Sequence, residues 1–384
     1  MSKIKTVFQQ TPRKSDSSLD TLIDEALLDR TFPGVACGLW IDGRQEYVRY
    51  AGFTDPDKEG TAGNTLISRK TLFDAASLTK PLATSLLVLK ACEAGAIDLN
   101  GTLGQYLPRE NPRARNIPIH SLLTHTSGLP AIPFIERRFP SPLLIDREAA
   151  VSELCSIQPE KGHGEAVVYS CTGYMLLGLI LERISGMLLG DLYRTEVAEP
   201  LHLPRASFAP GIGPSGEPLD IKGAAATEYC GWRKKRMRGQ VHDESAYCFG
   251  GHAGNAGLFV SLEDVYETAS LLLEGGASGG KQFLGENFIR DLTTDKTLNL
   301  EERRSFGFRM KEPETFTGPL WPASSFGHTG FTGTSLAVSP RQRLTAIILT
   351  NRVYYGRDDT AQKIADFRTR FHTLAFQFKA SKSF

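Results

Sequence analysis

The sequence predicts a mixed α/β (α+β) fold, with one antiparallel sheet flanked by terminal helices and a mostly helical region inserted between the two halves of the sheet. Three observations carry this expectation. Strand-like runs gather at both ends of the chain, helical periodicity fills the middle, and the first and last periodic segments are themselves helical.

Each element follows from a local pattern. LDTLIDEALLDR, residues 19–30, has apolar positions at helical spacing and stops before Pro33. GVACGLWIDG and QEYVRYAGF read as two strands joined by a turn at Asp42-Gly43. Far downstream, SFGFRM, TSLAVSP and RLTAIILT read as three more strands, with Pro340-Arg341-Gln342 joining the last two, and residues 359–378 are helical again. Between these ends, residues 77–93, 120–125, 147–156, 172–186 and 261–274 read as helices, the last opened by a capping box of Ser261 and Asp264. The expected organisation is a flexible tail over 1–18, a discontinuous sheet domain over 19–75 and 255–384, and a mostly helical domain over 76–254.

Bulk properties narrow the function. The chain has 384 residues, of which 41% are hydrophobic and 23% charged, with a net charge of +1. That balance disfavours nucleic acid or an anionic membrane as the main partner, and no stretch approaches the roughly 20 apolar residues of a membrane span. The basic N-terminus lacks the apolar block of a signal peptide, so a cytoplasmic location is expected. The six cysteines form no CxxC pair and no metal-ligand spacing, so reduced thiols and no cofactor are expected.

Three segments carry candidate chemistry. Ser77-Leu78-Thr79-Lys80 places an amine three residues from a hydroxyl, on one face of a helix start where unpaired N–H groups favour negative charge. The same spacing recurs at Ser2 and Ser278, but only Ser77 opens a long apolar helix, continued by LATSLLVLKAC. Lys80 acts as a base only if burial and nearby positive charge bring its pKa well below about 10.4. Tyr169, just before the helix TGYMLLGLILERISG, can relay protons from a cleft, although alone it reads as a packing aromatic. His328-Thr329-Gly330-Phe331 sets a polar edge beside a strand, and the Phe331 N–H can pair with that of Ser77 as an oxyanion hole. Alone, the last segment reads as a tight turn.

Other features read as structural. Ser335 in Gly333-Thr334-Ser335 precedes a strand rather than the helix that a nucleophile elbow requires. GGHAGNAG, residues 250–257, reads as a tight turn, His242-Asp243-Glu244 as hydrogen-bonded to distant partners, and the basic run 233–238 as a solvated loop.

The order of serine-lysine, tyrosine and basic-Thr-Gly segments is that of the penicillin-recognising serine enzymes. The chain resembles the class C β-lactamase-like serine hydrolases, a family that includes D-alanyl-D-alanine carboxypeptidases and esterases. The likeness runs from Phe32 to Leu349 through PGVACGLWIDG, FDAASLTK, IHSLLTHTSGLP, YSCTGYMLLGLILERISG, VHDESAYCFGGHAGNAGLFVSLEDV and GHTGFTGTSLAVSP. It implies a β-lactamase/transpeptidase-like fold with the site between sheet and helical domains. By carry-over Ser77 is the nucleophile, Lys80 and Tyr169 are general base and acid in an order left open, and the Phe331 and Ser77 N–H groups form the oxyanion hole. Cys171 stands where many relatives have an asparagine that binds the substrate carbonyl and the lysine. His328 stands where many have a lysine that holds a substrate carboxylate. Both departures lean away from β-lactam hydrolysis and toward carboxylic esters or small amides. A D-alanyl-D-alanine carboxypeptidase or weak β-lactamase is the alternative within the family, and a non-catalytic, penicillin-binding-like sensor or scaffold the alternative outside enzymes. The expected partner is a small ester, amide or peptide substrate; the sequence leaves the oligomeric state open.

Overall fold

The computed structural model describes residues 17–58, 65–107, 112–208 and 220–382. Most of the expected tail, with the serine-lysine spacing at Ser2, lies outside the described residues, and Ser17 already begins the first helix.

Helix α1, Ser17–Leu28, leads into strands β1, Gly34–Ile41, and β2, Arg44–Gly52. The sheet is completed by β3, Arg309–Met310, β4, Phe326–Thr329, β5, Ser335–Ser339, and β6, Leu344–Thr350. Their order is β2-β1-β6-β5-β4-β3, and each neighbouring pair is antiparallel. The two chain ends meet where β1 pairs with β6, Val35 opposite Thr350 and Ile41 opposite Leu344. The α+β architecture read from the sequence is therefore present.

Side chains alternate across a strand, so a sheet buried on both faces sorts its residues into two cores. Val35, Cys37, Leu39, Ala346 and Ile348 pack with Leu22 and Ile23 of α1 and with Phe367 and Phe371 of the terminal helix. Ala36, Trp40, Leu336, Ile347 and Leu349 face the opposite way, into a core shared with the middle of the chain. That middle includes α2, Leu86–Glu93, α3, Arg147–Ser156, α4, Cys171–Ser185, and α5, Leu262–Ser270; the terminal helix is α6, Ala361–Ser381. The Ser261–Asp264 capping box is formed. No helix among the described residues is long and apolar enough to cross a membrane.

Three local expectations are corrected. The helix over 77–93 is a 3-10 turn, Ala76–Leu78, a π-turn, Lys80–Ser85, and then α2; Pro81 lacks an N–H, so regular α-helical bonding is interrupted at this point. SFGFRM contributes only the two residues of β3, because Ser305 and Gly307 turn back on themselves through Ser305 N–H to Phe308 O and Gly307 N–H to Ser305 O. The basic run is not a solvated loop: Lys235–Arg238 is a strand, and buried Arg233 donates to the carbonyls of Val241 and His242.

Candidate active site

Ser77 sits in the 3-10 turn and Lys80 opens the π-turn that follows. Residues three apart nearly eclipse in a 3-10 turn, and Lys80 Nζ accordingly donates to Ser77 Oγ at 3.1 Å. The amine is fully buried and donates also to the Asn255 carbonyl at 3.1 Å and to Cys171 Sγ at 3.5 Å. It lies 4.9 Å from the centre of the Tyr169 ring, and Tyr169 and Ser77 line the same cleft.

The turn bearing Ser77 is strained and tied down. Ala76 has φ +48°, a left-handed conformation that costs a non-glycine residue about 1–3 kcal/mol. Its N–H donates to Asp74 Oδ1 at 2.8 Å, and the other carboxyl oxygen accepts from the His242 N–H at 2.7 Å. Thr334 Oγ1 donates to Ala75 O at 3.0 Å and Thr332 Oγ1 to Asp74 O at 2.8 Å, joining this turn to the loop after β4. Neither the Ser77 nor the Phe331 N–H has a hydrogen-bond partner among the described residues. Ser77 is half-buried and Phe331 exposed, and both line the same cleft, so both N–H groups are open to an acceptor bound there.

Tyr169 is positioned by the segment LLTHTSGLP. His125, at φ +61°, accepts the Ser170 N–H on Nδ1 at 3.0 Å, so its proton sits on Nε2. Its ring lies 4.5 Å from the Tyr169 ring, and Ser170 caps α4 by accepting the Gly173 N–H. His328, on β4, donates from Nδ1 to Thr329 O at 2.8 Å and leaves Nε2 an acceptor with no hydrogen-bond partner among the described residues. Its ring is 5.7 Å from that of Tyr169.

Electrostatics set the protonation states. Burial, with the charges of Arg304 and Lys80, pushes both His125 and His328 well below the usual histidine range, so both are neutral at pH 7. Burial also disfavours the Lys80 ammonium, but its electrostatic interactions with Cys171 and Tyr169 outweigh that and raise the amine. Burial raises the Tyr169 phenol, partly offset by Lys80. The resting pair is therefore an ammonium beside a neutral phenol, the opposite of what a lone lysine base requires.

A cleft of about 520 Å³ opens over this cluster, lined by Ser77, Tyr169, His328, Thr329, Gly330 and Phe331. Lys80 lies buried beneath it and Cys171 stands beside Lys80. Ser77, Lys80, Tyr169, Cys171, His328, Thr329, Gly330 and Phe331 are thus in one neighbourhood. Four arginines, Arg304, Arg309, Arg352 and Arg368, and one acid, Glu314, are the other charged residues of the lining. Sequence reasoning missed Arg304, whose buried guanidinium pairs with Glu302 and lies 5.4 Å from the Tyr169 ring centre. It also missed that GGHAGNAG is more than a turn: Asn255 O holds Lys80 and Gly254 O holds Thr84. A backbone carbonyl carries no side-chain signal, although the density of glycines there marks a close approach. Ser335 is fully buried on β5 with Oγ 3.0 Å from His372 Nε2, away from the cleft.

An antiparallel sheet packed against a helical region, with a serine hydroxyl held by a buried amine, is the framework of a serine hydrolase. The Beta-lactamase family model matches residues 19–370, and the chain belongs to that family. It is 30% identical to a protein of Salmonella agona named "Putative D-alanyl-D-alanine carboxypeptidase", over 75% of this chain and 71% of that one. A Salmonella typhimurium protein of the same name is also 30% identical, over 76% and 73%. Among solved structures, a penicillin-binding protein homologue from Caulobacter crescentus superposes with a TM-score of 0.71 at 18% identity, covering 94% of this chain and 99% of that one. EstCE1, a hydrolase with promiscuous acyltransferase activity, superposes with a TM-score of 0.68 at 19% identity, covering 92% and 98%. These structural likenesses concern the fold.

Proposed function

We propose that the protein hydrolyses carboxylic esters or small amides through an acyl-enzyme on Ser77. The observation that carries this reading is the Lys80 Nζ to Ser77 Oγ contact beside two unpaired N–H groups. Ser77 Oγ attacks the carbonyl carbon and its proton passes to the Lys80–Tyr169 pair. The carbonyl oxygen takes the negative charge and receives hydrogen bonds from Ser77 N–H and Phe331 N–H. The pair returns the proton to the leaving alcohol or amine as the C–O or C–N bond breaks. Water then enters by the same route, and the acid leaves. A fluorophosphonate probe followed by peptide mapping is expected to label Ser77. Labelling of Ser335 or Ser278 in its place overturns the assignment.

The preference for esters rests on Cys171 and His328. An alcohol leaves with little help, whereas an amide needs its carbonyl held while nitrogen is protonated. A thiol is a weak donor, and the neutral His328 presents an acceptor. A lost hydrogen bond to a charged group is worth about 1.5–3 kcal/mol, or roughly one to two decades of rate. By kcat/KM, p-nitrophenyl acetate and butyrate are expected to exceed nitrocefin, and Cys171→Asn with His328→Lys to narrow the gap. A wild-type protein that prefers nitrocefin defeats this argument.

A second reading, a carboxypeptidase of D-alanyl-D-alanine peptides, has one specific observation in its favour. The cleft is lined by four arginines, of which Arg304 and Arg309 pair with Glu302 and Glu312, and its positive side chains suit a substrate bearing a carboxylate; the Salmonella relatives carry that name. Release of D-alanine from an acyl-D-alanyl-D-alanine peptide, with no turnover of its C-terminal amide, selects this reading.

A further inference from the structure

Two of the four cleft arginines are committed to the backbone of the loop after β4. Arg368 of α6 donates from Nη2 to Gly330 O at 2.6 Å and to Thr334 O at 2.9 Å, the two ends of that loop. Gly330 N–H also donates to Thr334 O at 2.8 Å, so the guanidinium closes a ring that backbone bonding has already begun. Arg352 donates from Nε to the next carbonyl, Phe331 O, at 2.9 Å, and its guanidinium lies 5.0 Å from the centre of the Phe331 ring. The other side of the loop abuts the nucleophile turn, through Thr334 Oγ1 and Ala75 O.

A trans peptide unit is planar, with its C=O and N–H pointing in opposite directions. The carbonyl of Gly330 and the N–H of Phe331 belong to one such unit. A guanidinium that holds the carbonyl therefore sets the direction of the N–H. Gly333 N–H reaches the same carbonyl at 3.0 Å, but it belongs to the loop and moves with it. Arg368 anchors the unit from a separate element, the long helix packed on the far face of the sheet.

We infer that Arg368 is a positioning residue for the oxyanion hole: its guanidinium holds the Gly330–Phe331 peptide so that the Phe331 N–H faces the carbonyl oxygen of the substrate, with Arg352 bracing the following peptide. This rests on the acyl-enzyme reading and adds a residue that touches no reacting atom. Its prediction concerns transition-state hydrogen bonding, not substrate affinity.

The test compares an ester with its thionoester, in which a sulfur that accepts hydrogen bonds poorly replaces the carbonyl oxygen. Both are measured on one preparation of wild type, Arg368→Ala and Arg368→Lys, so any misfolded fraction cancels from the ratio of kcat/KM values. The wild-type ratio is expected to be large, and to fall about tenfold or more in Arg368→Ala, with kcat for the ester reduced and KM nearly unchanged, in keeping with the roughly 10²–10³-fold cost of deleting one such donor. Arg368→Lys, which keeps the charge on a compact ammonium but loses the planar guanidinium, is expected to fall between. Guanidinium ion added to Arg368→Ala is expected to recover part of the ratio. An unchanged ratio in both variants overturns the inference, whatever the absolute rates. Fluorophosphonate labelling of wild-type Ser77 separates the two levels: without it the acyl-enzyme reading itself fails, and with it an unchanged ratio removes Arg368 alone.

Discussion

Lys80→Ala is expected to lower kcat for an activated ester by roughly 10²–10⁴-fold, and Tyr169→Phe by a comparable factor. Lys80 is the amine within hydrogen-bond reach of Ser77 Oγ, and Tyr169 is the phenol whose ring lies 4.9 Å from that amine, beside Ser77 in the cleft. Their protonation adds a pH dependence whose sign can be worked out. Both groups are shifted upward, so at neutral pH the pair holds one proton more than a base can. The competent form has lost a proton, so kcat/KM is expected to climb as pH rises into the alkaline range and to fall away toward acid. The limb belongs to the pair rather than to either residue. His125 and His328, both depressed, are expected to add no inflection near 6.5. Near-wild-type turnover in either variant removes that residue from the mechanism, and an acidic optimum contradicts the protonation scheme.

Gly330→Ala is expected to cost roughly 10²–10³-fold in kcat, the loss that follows removal of one oxyanion donor. A Cβ at this position meets Thr334 Oγ1 at 2.0 Å and Ala75 O at 2.6 Å. Those two atoms make the hydrogen bond that ties the loop to the nucleophile turn. The added methyl therefore pushes the Phe331 N–H away from Ser77, while the β4–β5 pairing of Phe326 with Val338 and of His328 with Leu336 remains to hold the strand. Thermal melting distinguishes a displaced loop from an unfolded protein. Unimpaired hydrolysis by a folded Gly330→Ala variant rules out a role for this loop in the transition state.

Local periodicity made much of this molecule legible. The apolar-rich runs GVACGLWI and RLTAIILT identified β1 and β6, and they carry so few polar residues because both faces of the sheet are covered. The Ser261–Asp264 spacing identified the cap of α5 because a capping box is satisfied within four residues. Ser77 and Lys80 were legible for the same reason, since three residues of one turn fix their separation. The π-turn over Lys80–Ser85 was not, because apolar spacing cannot tell one helical winding from another over a single turn.

What the sequence determined by itself was the class of fold and the three-residue spacing that sets the Lys80 amine beside the Ser77 hydroxyl. What only the tertiary structure decided was how those groups are held and charged. Asn255 and Asp74 act on the Ser77–Lys80 turn, and Arg352 and Arg368 act on the loop after β4, through backbone atoms distant in sequence. Arg304 enters beside Tyr169 only when the chain end folds back onto the middle. The upward shift of Lys80 likewise depends on Cys171, 91 residues away. Hydrogen bonds and Coulomb interactions depend on distance in space, and distance in space between remote segments is set by the packed core rather than by any local pattern.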